Sequence, residues 1–330
     1  IGASFVERNT VNTLQGVDLN NDCDEEGDGN SVLTNPCENE VDNIIGPIDQ
    51  SNDVTGTNPN AIHSNTIEVT QTGAAINSCD ESGAGTGTNN ANCHNEGENT
   101  FGDVSNNVGV DQANFASGPN NAAQTNDFSV SQAFDVENNC DEFGEGTNTV
   151  LCEMLGLDNE IGDFDPVSQS NSASGSVGAT ITQNNEIDGD DALGIPGITQ
   201  VIVAANTCGQ TGAGDNLASC RISDFENDVD DIDQSNSVLD AADDTVISQD
   251  NGAVISQILS LENDCDENTF TDTHDNNANC ALVNDMENFL GTVSQSNEVV
   301  SALDNSISNQ DNNVVVSQDL LAENDCNGSG

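Results

Sequence analysis

The polar and apolar positions of this chain alternate over short distances. Residues 293–300, 305–310 and 313–321 form runs rich in β-branched side chains, and Asn, Asp and Gly separate them. These runs read as strands and the separators as turns. A similar set, 238–239, 245–249 and 253–259, stands about sixty residues earlier. A helical period is not sustained anywhere. Its nearest approach is Leu151, Met154, Leu155 and Leu157, which spans two turns at most and contains Gly156. The pattern predicts an all-β chain with about three short strands per repeat.

The repeat is written most clearly in the cysteines. Cys23/Cys37, Cys79/Cys93, Cys140/Cys152, Cys208/Cys220 and Cys265/Cys280 form five pairs, followed by a solitary Cys326. Their first members, continued by Cys326, are 56, 61, 68, 57 and 61 residues apart. Gln-Ser-Asn recurs at Gln50, Gln169, Gln234 and Gln295, and Asn-Asp-Cys or Asn-Asn-Cys at Cys23, Cys140, Cys265 and Cys326. Such periodicity marks a tandem array. It divides the chain into a partial first repeat 1–37, repeats 38–93, 94–152, 153–220 and 221–280, and a partial last repeat 281–330. Each unit has too little apolar mass to bury a face alone, so neighbours must stack. Stacking sets equivalent Asn and Gln side chains above one another as amide ladders. The expected architecture is a disulfide-stapled, β-solenoid-like stack, with a β-sandwich completed by a donated strand as the alternative.

Composition narrows the function. The net charge is -57, and Arg8 and Arg221 are the only basic side chains apart from three histidines. Neither a nucleic acid nor an anionic membrane finds a neutralising surface on such a chain. The longest apolar stretch, near 201–205, is strand-sized, so no membrane span is expected. Cysteines 12 to 15 residues apart suit local disulfides in an oxidising compartment. Zinc would need tighter clusters, and His94 and His274 do not occupy equivalent loop positions. A first residue of Ile suggests a removed leader. An extracellular or cell-surface location follows. Asn327-Gly328-Ser329 is the only N-x-S/T acceptor among the many asparagines.

Catalysis has little support. There is no Lys, Trp or Tyr, and no G-x-S-x-G, H-E-x-x-H or phosphate loop. The acidic loops around the first and third cysteine pairs offer oxygen ligands suited to calcium, from Asp24, Glu25 and Asp28 and from Asp141, Glu142 and Glu145. Their spacing does not match an EF-hand, and no other cofactor is implied.

Residues 249–257 and 310–318, each opening and closing on Gln around a β-branched run, resemble curlin-type strand-turn-strand units. The chain is also similar to the Asn-rich, Gln-Ser-Asn repeat proteins predicted on some archaeal surfaces. The resemblance covers 230–330 best and implies a secreted fibre subunit. Curlin repeats are shorter and lack cysteine loops. Dedicated caps are not evident, and a head-to-tail contact that does not close makes a filament. The expected function is therefore a structural subunit of an extracellular filament, a homopolymer, joined by stacking or by donation of residues 1–19 to a neighbour. Cys326 has no partner in the grid. The alternative is an acidic S-layer component or surface adhesin.

Overall fold

The structure is a computed structural model that describes residues 4–23, 25–26, 37–56, 60–79, 81–83, 88–102, 110–118, 121–144, 147–162, 166–175, 180–187, 197–212, 215–241, 243–269, 277–300 and 306–328. Every regular element among them is a β-strand. The first turn comprises β1 (Ser4–Asp22), β2 (Glu25–Glu26), β3 (Cys37–Ile45) and β4 (Asp49–Thr55). The second comprises β5 (Asn60–Ser78), β6 (Glu81–Gly83), β7 (Thr88–Phe101) and β8 (Val110–Ser117). The third contains β9 (Asn121–Gly144), β10 (Thr147–Ile161) and β11 (Val167–Ser174). The fourth contains β12 (Thr180–Ile187), β13 (Ile198–Gly212), β14 (Asp215–Val229) and β15 (Ile232–Leu239). The fifth contains β16 (Val246–Thr269), β17 (Asn277–Leu290) and β18 (Val293–Val300), and β19 (Ile307–Gly328) follows it.

All pairings among the described residues are parallel, with the register shifted within β7–β10 and β14–β17, and they build three sheets. The long sheet has six rungs: β1, β5, β9, β12 with β13, β16 and β19. Two five-stranded sheets, β3-β7-β10-β14-β17 and β4-β8-β11-β15-β18, lie side by side against it. The chain is thus a disulfide-stapled solenoid with a single core between two layers. Repeated parallel pairing needs a crossover between like strands, and the two short strands of each turn supply it.

Inward positions alternate between apolar and amide columns across the section. Along β5 they run Ala61, His63, Asn65, Ile67, Val69, Gln71, Gly73, Ala75 and Asn77, ending at Cys79. The apolar columns form four separate clusters, one made largely of the stacked disulfides. The five bonds join Cys23 to Cys37, Cys79 to Cys93, Cys140 to Cys152, Cys208 to Cys220 and Cys265 to Cys280. Each ties the C-terminal part of a long rung to the N-terminal part of the next short-sheet strand.

The structure departs from the pattern-based strands in one instructive way. Residues 245–249 and 253–259 read as two strands parted by a turn, yet Val246–Thr269 is one strand. Asn251 lies in its interior, buried, with amide partners in the neighbouring turns. Asn favours turns because its side chain competes for the backbone. Here that side chain is occupied elsewhere. The Leu151–Leu157 stretch is likewise a strand whose alternation breaks at Gly156, where φ is 62° and the register shifts against β7. This is a β-bulge, in which an extra residue moves the next inward position by one. Met154 and Leu157 are therefore both buried although three residues apart. In the fourth turn Ile187 and Ile198, eleven residues apart, face Ala253 and Ile255, two apart, so nine extra residues enter between β12 and β13.

Volume is balanced between turns as well as across the core. Gly73 pairs with Phe134 in register, and Gly97 lies against the same ring. A Cβ at Gly73 falls inside van der Waals contact of the Phe134 ring. We predict that Gly73→Leu costs about 1–3 kcal/mol through overpacking. Phe134→Ala should cost about 3–5 kcal/mol through the cavity it leaves. Denaturant melts of the double variant should show the first cost largely relieved by the second; simple additivity would mean that the two sites are not packed together.

Candidate assembly surfaces

Every turn adds one amide to each of several ladders. In the long sheet Asn9 donates to Asn65 at 3.0 Å, Asn65 to Asn126 at 3.1 Å, and Asn126 to Asn185, Asn185 to Asn251 and Asn251 to Asn312 at 2.9 Å each. A facing ladder runs Asn52, Asn114, Asn171, Asn236, Asn297 in the same sense. A third runs Asn43, Asn99, Asn159, Asn227, Asn288, each step at 2.8 Å. The glutamines run the other way. Gln318 donates to Gln257, Gln257 to Gln200, Gln200 to Gln132 and Gln132 to Gln71. Buried amides are tolerated only when both ends are satisfied, and repetition satisfies them.

The two layers are staggered by half a rung. Asn126 of β9 accepts from Asn114 of β8 and donates to Asn171 of β11. Gln200 likewise donates to the carbonyls of Asn159 and Asp228, which belong to successive short strands. Six long rungs thus enclose five short ones, and a long rung lies outermost at both ends.

Both outer rungs leave core positions uncovered. Val314, Val316 and Leu320 occupy inward positions but are 41, 43 and 52% exposed, whereas their register partners Ala253, Ile255 and Leu259 are at most 1% exposed. At the opposite end Phe5 is 45% exposed above a buried Ala61. Gln318 and Gln15 each reach one short-strand carbonyl, of Asn288 and Ile44, in place of the usual two. The ladder sense makes the ends complementary, because the Asn ladders finish on a donor at β19 and start on an acceptor at β1. Among the described residues no strand pairs with the outer edge of β1 or β19, and such an edge can template a further strand.

The outer faces carry charge in columns too. On the β3-β7-β10-β14-β17 sheet, Asp42, Glu98, Asp158, Glu226 and Glu287 stand in register, one per turn. Burial, followed by Glu226, Glu98 and Asp224, pushes Asp158 up to about 7. Glu226 is also raised, by burial and then by Glu287 and Asp285. On the long sheet, burial with Glu186 and Glu68 moves Asp127 up to about 6. One column differs: Glu38, His94, Glu153 and Arg221 stand in register, with Arg221 4.0 Å from Glu153.

The calcium candidates fall partly on strands. Glu25 and Glu142 stand in one column with Glu81 between them, and Asp141 pairs with Gly209. Asp24, Asp28 and Glu145 lie outside the described residues. Among the described residues the groupings of potential ligand atoms are sulfurs of the stacked disulfides, one whole bridge and one sulfur of its neighbour in each. β1 is paired with its own β5 along Ser4–Asp22, so residues 4–19 are not a free strand here. Cys326 registers with Cys265 on β19.

His63 escaped the sequence reading. It takes the place of glutamine in a ladder, in register with Glu7 and Gln124, and is 1% exposed with both ring nitrogens unpartnered. Burial lowers its pKa, opposed by Glu7 and Asp53. The clue was present in the alignment of His63 with Gln124, Gln183 and Gln249. No helix among the described residues is long and apolar enough to cross a membrane. Comparison of the chain with protein-family models, with curated proteins and with solved structures finds no match.

Two predictions follow from these groups. His63→Gln should complete the ladder next to Gln124 and raise stability by about 1 kcal/mol, read as an increased melting temperature. The raised carboxylates contribute stability below their ordinary pKa and lose it as pH rises through about 6 to 7. The lowered His63 works in the opposite direction, losing stability as pH falls through 6.5. Melting temperature should therefore rise from pH 8.5 to 6.5, and in His63→Gln it should continue to rise toward pH 5. A flat profile in that variant would show that the carboxylate columns are not under strain.

Proposed function

We propose that the chain is the structural subunit of an extracellular filament in which copies join end to end along the solenoid axis. The carrying observation is the mismatch between the two ends and the sides. The ends expose core residues and open amide ladders of opposite donor sense; one side carries the carboxylate column Asp42, Glu98, Asp158, Glu226 and Glu287. A heterologous contact of this kind, once made, regenerates itself at the far end of the partner and grows without closing. The five disulfides fit an oxidising, extracellular setting.

Electrostatics sets the condition for assembly. Each copy carries -57, so approach is opposed until salt shortens the range of repulsion. That range is about 8 Å at physiological ionic strength and about 3 Å at 1 M. Calcium at the acidic cysteine loops is one proposed means of relieving it. The side faces keep their repulsion at contact, which favours one-dimensional growth over lateral association.

Electron microscopy across a salt series tests this reading. Isolated copies at a few millimolar salt should give way to filaments near molar salt, with β-strands perpendicular to the fibre axis. At matched ionic strength, calcium chloride should lower the threshold relative to sodium chloride if the loops bind the ion. Planar arrays would favour a surface-layer component instead, and single copies at every salt concentration would remove the filament from consideration.

A further inference from the structure

We propose that copies join by strand exchange, with β19 of one copy replacing β1 of the next, and that a thiol-disulfide exchange from Cys326 to Cys37 seals the joint. This rests on the filament reading and specifies its contact. The first argument is rung counting. Direct stacking of β1 on β19 continues the long sheet, but it leaves both short sheets one strand short at the junction. Six long rungs per copy enclose only five short ones. Gln318 and the next copy's Gln15 would each still lack a carbonyl, since each now reaches only one. The gap would sit across the whole apolar section.

Exchange removes the gap. The register chain from Ser4 through Asn60, Asn121, Thr180 and Val246 ends at Ile307, so β1 and β19 are equivalent rungs. At equivalent inward positions they carry Asn9 and Asn312, Gln15 and Gln318, and Asn21 and Asn324. Asp22 and Asp325, also equivalent, precede Cys23 and Cys326. With β19 seated on β5 of the next copy, pairing over 19 residues is exchanged like for like. In addition β17 and β18 gain β3 and β4 as partners, nine and seven residues of new ladder. Val314 and Val316 become covered by Ile45 and Ile48 of the next copy, and Leu320 by its Val41, the residues that pack on the equivalent columns within one chain. Asn288 then donates to Asn43 and Gln50 to Gln295, each ladder keeping its sense. Swapping an identical element between copies is a low-cost route to association.

The cysteines close the joint without an oxidant. Ten of the eleven are paired within the chain, which leaves Cys326 with no cysteine partner there. In the exchanged joint Cys326 occupies the position of Cys23. Its thiolate attacks Sγ of Cys37, a Cys326–Cys37 bond forms, the Cys23–Cys37 bond breaks, and the electron pair leaves with Cys23 as thiolate. The number of disulfides and of free thiols is unchanged.

Three readouts on full-length filaments test this. Exchange removes one long rung per joint, so the axial rise should be five rungs, about 24 Å, instead of six, about 29 Å. Amides of residues 4–22 should lose hydrogen-exchange protection on assembly, whereas direct stacking would increase it. Non-reducing digestion with an Asp- or Glu-directed protease of filaments grown from mixed ¹⁴N and ¹⁵N copies should yield a Cys37–Cys326 peptide joining the two isotopes. Cys326→Ser should still show the rise near 24 Å and the loss of protection, because the strands carry the exchange, but dissociate more readily on dilution. Filaments with a rise near 29 Å, protected β1 and intact Cys23–Cys37 would overturn the exchange and keep the filament. Failure to form filaments under any salt condition would overturn both.

Discussion

The structure depends on satisfying amides inside a nearly dry core, and satisfaction is available only from identical neighbours at a fixed axial spacing. Asn126, for example, accepts from Asn65 and Asn114 and donates to Asn171 and Asn185. An Asn in one isolated turn would leave its donors and acceptors buried and unmet, at a cost of about 1–3 kcal/mol per group. Many such groups make the stack intolerant of register error. A one-residue slip would turn every inward amide and every inward apolar side chain to the outside. The amide columns therefore act as the rulers of the solenoid, and the apolar clusters between them supply the burial.

The same repetition distributes charge and bulk in columns. Placing Asp158 between Glu98 and Glu226 is unfavourable to all three, yet the parallel register leaves no freedom to offset them. One column sets opposite charges together, at Glu153 and Arg221. Bulk shows more adjustment. Phe134 is accommodated by glycine at two neighbouring positions, and Phe101 stacks on Phe128 with centroids 5.8 Å apart. The stacked disulfides hold one end of the section closed, where the long rung gives way to the return strand. The ends repeat the pattern of the interior whereas the sides carry a carboxylate column, and that difference shapes the functional reading.

Much of this was legible in the residues, for reasons that are local. Cysteine spacing announces a period, because each bridge spans one loop and one loop occurs per turn. Gln-Ser-Asn repeats announce ladders, because the residues at positions 169, 234 and 295 can be superposed by eye and fall in register. Other features were hidden. Asn251 and its neighbours read as a turn, since an Asn in a strand interior becomes favourable only with a partner sixty residues away. The bulge at Gly156 was not visible, because a bulge and a helical turn both place apolar residues three apart. Glu98, Asp158 and Glu226 were lost in a background of acidic residues until pairing set them one above another.

The sequence by itself determined that this is an all-β, disulfide-stapled array whose period carries amides, since composition, cysteine count and repeats are properties of the chain alone. Only the tertiary structure decided that each turn sets a long rung against two short strands, that the layers are offset by half a rung, and that β1 and β19 are register-equivalent rungs. Those facts depend on which residues meet across turns, and contacts at separations near sixty residues have no trace in local propensity.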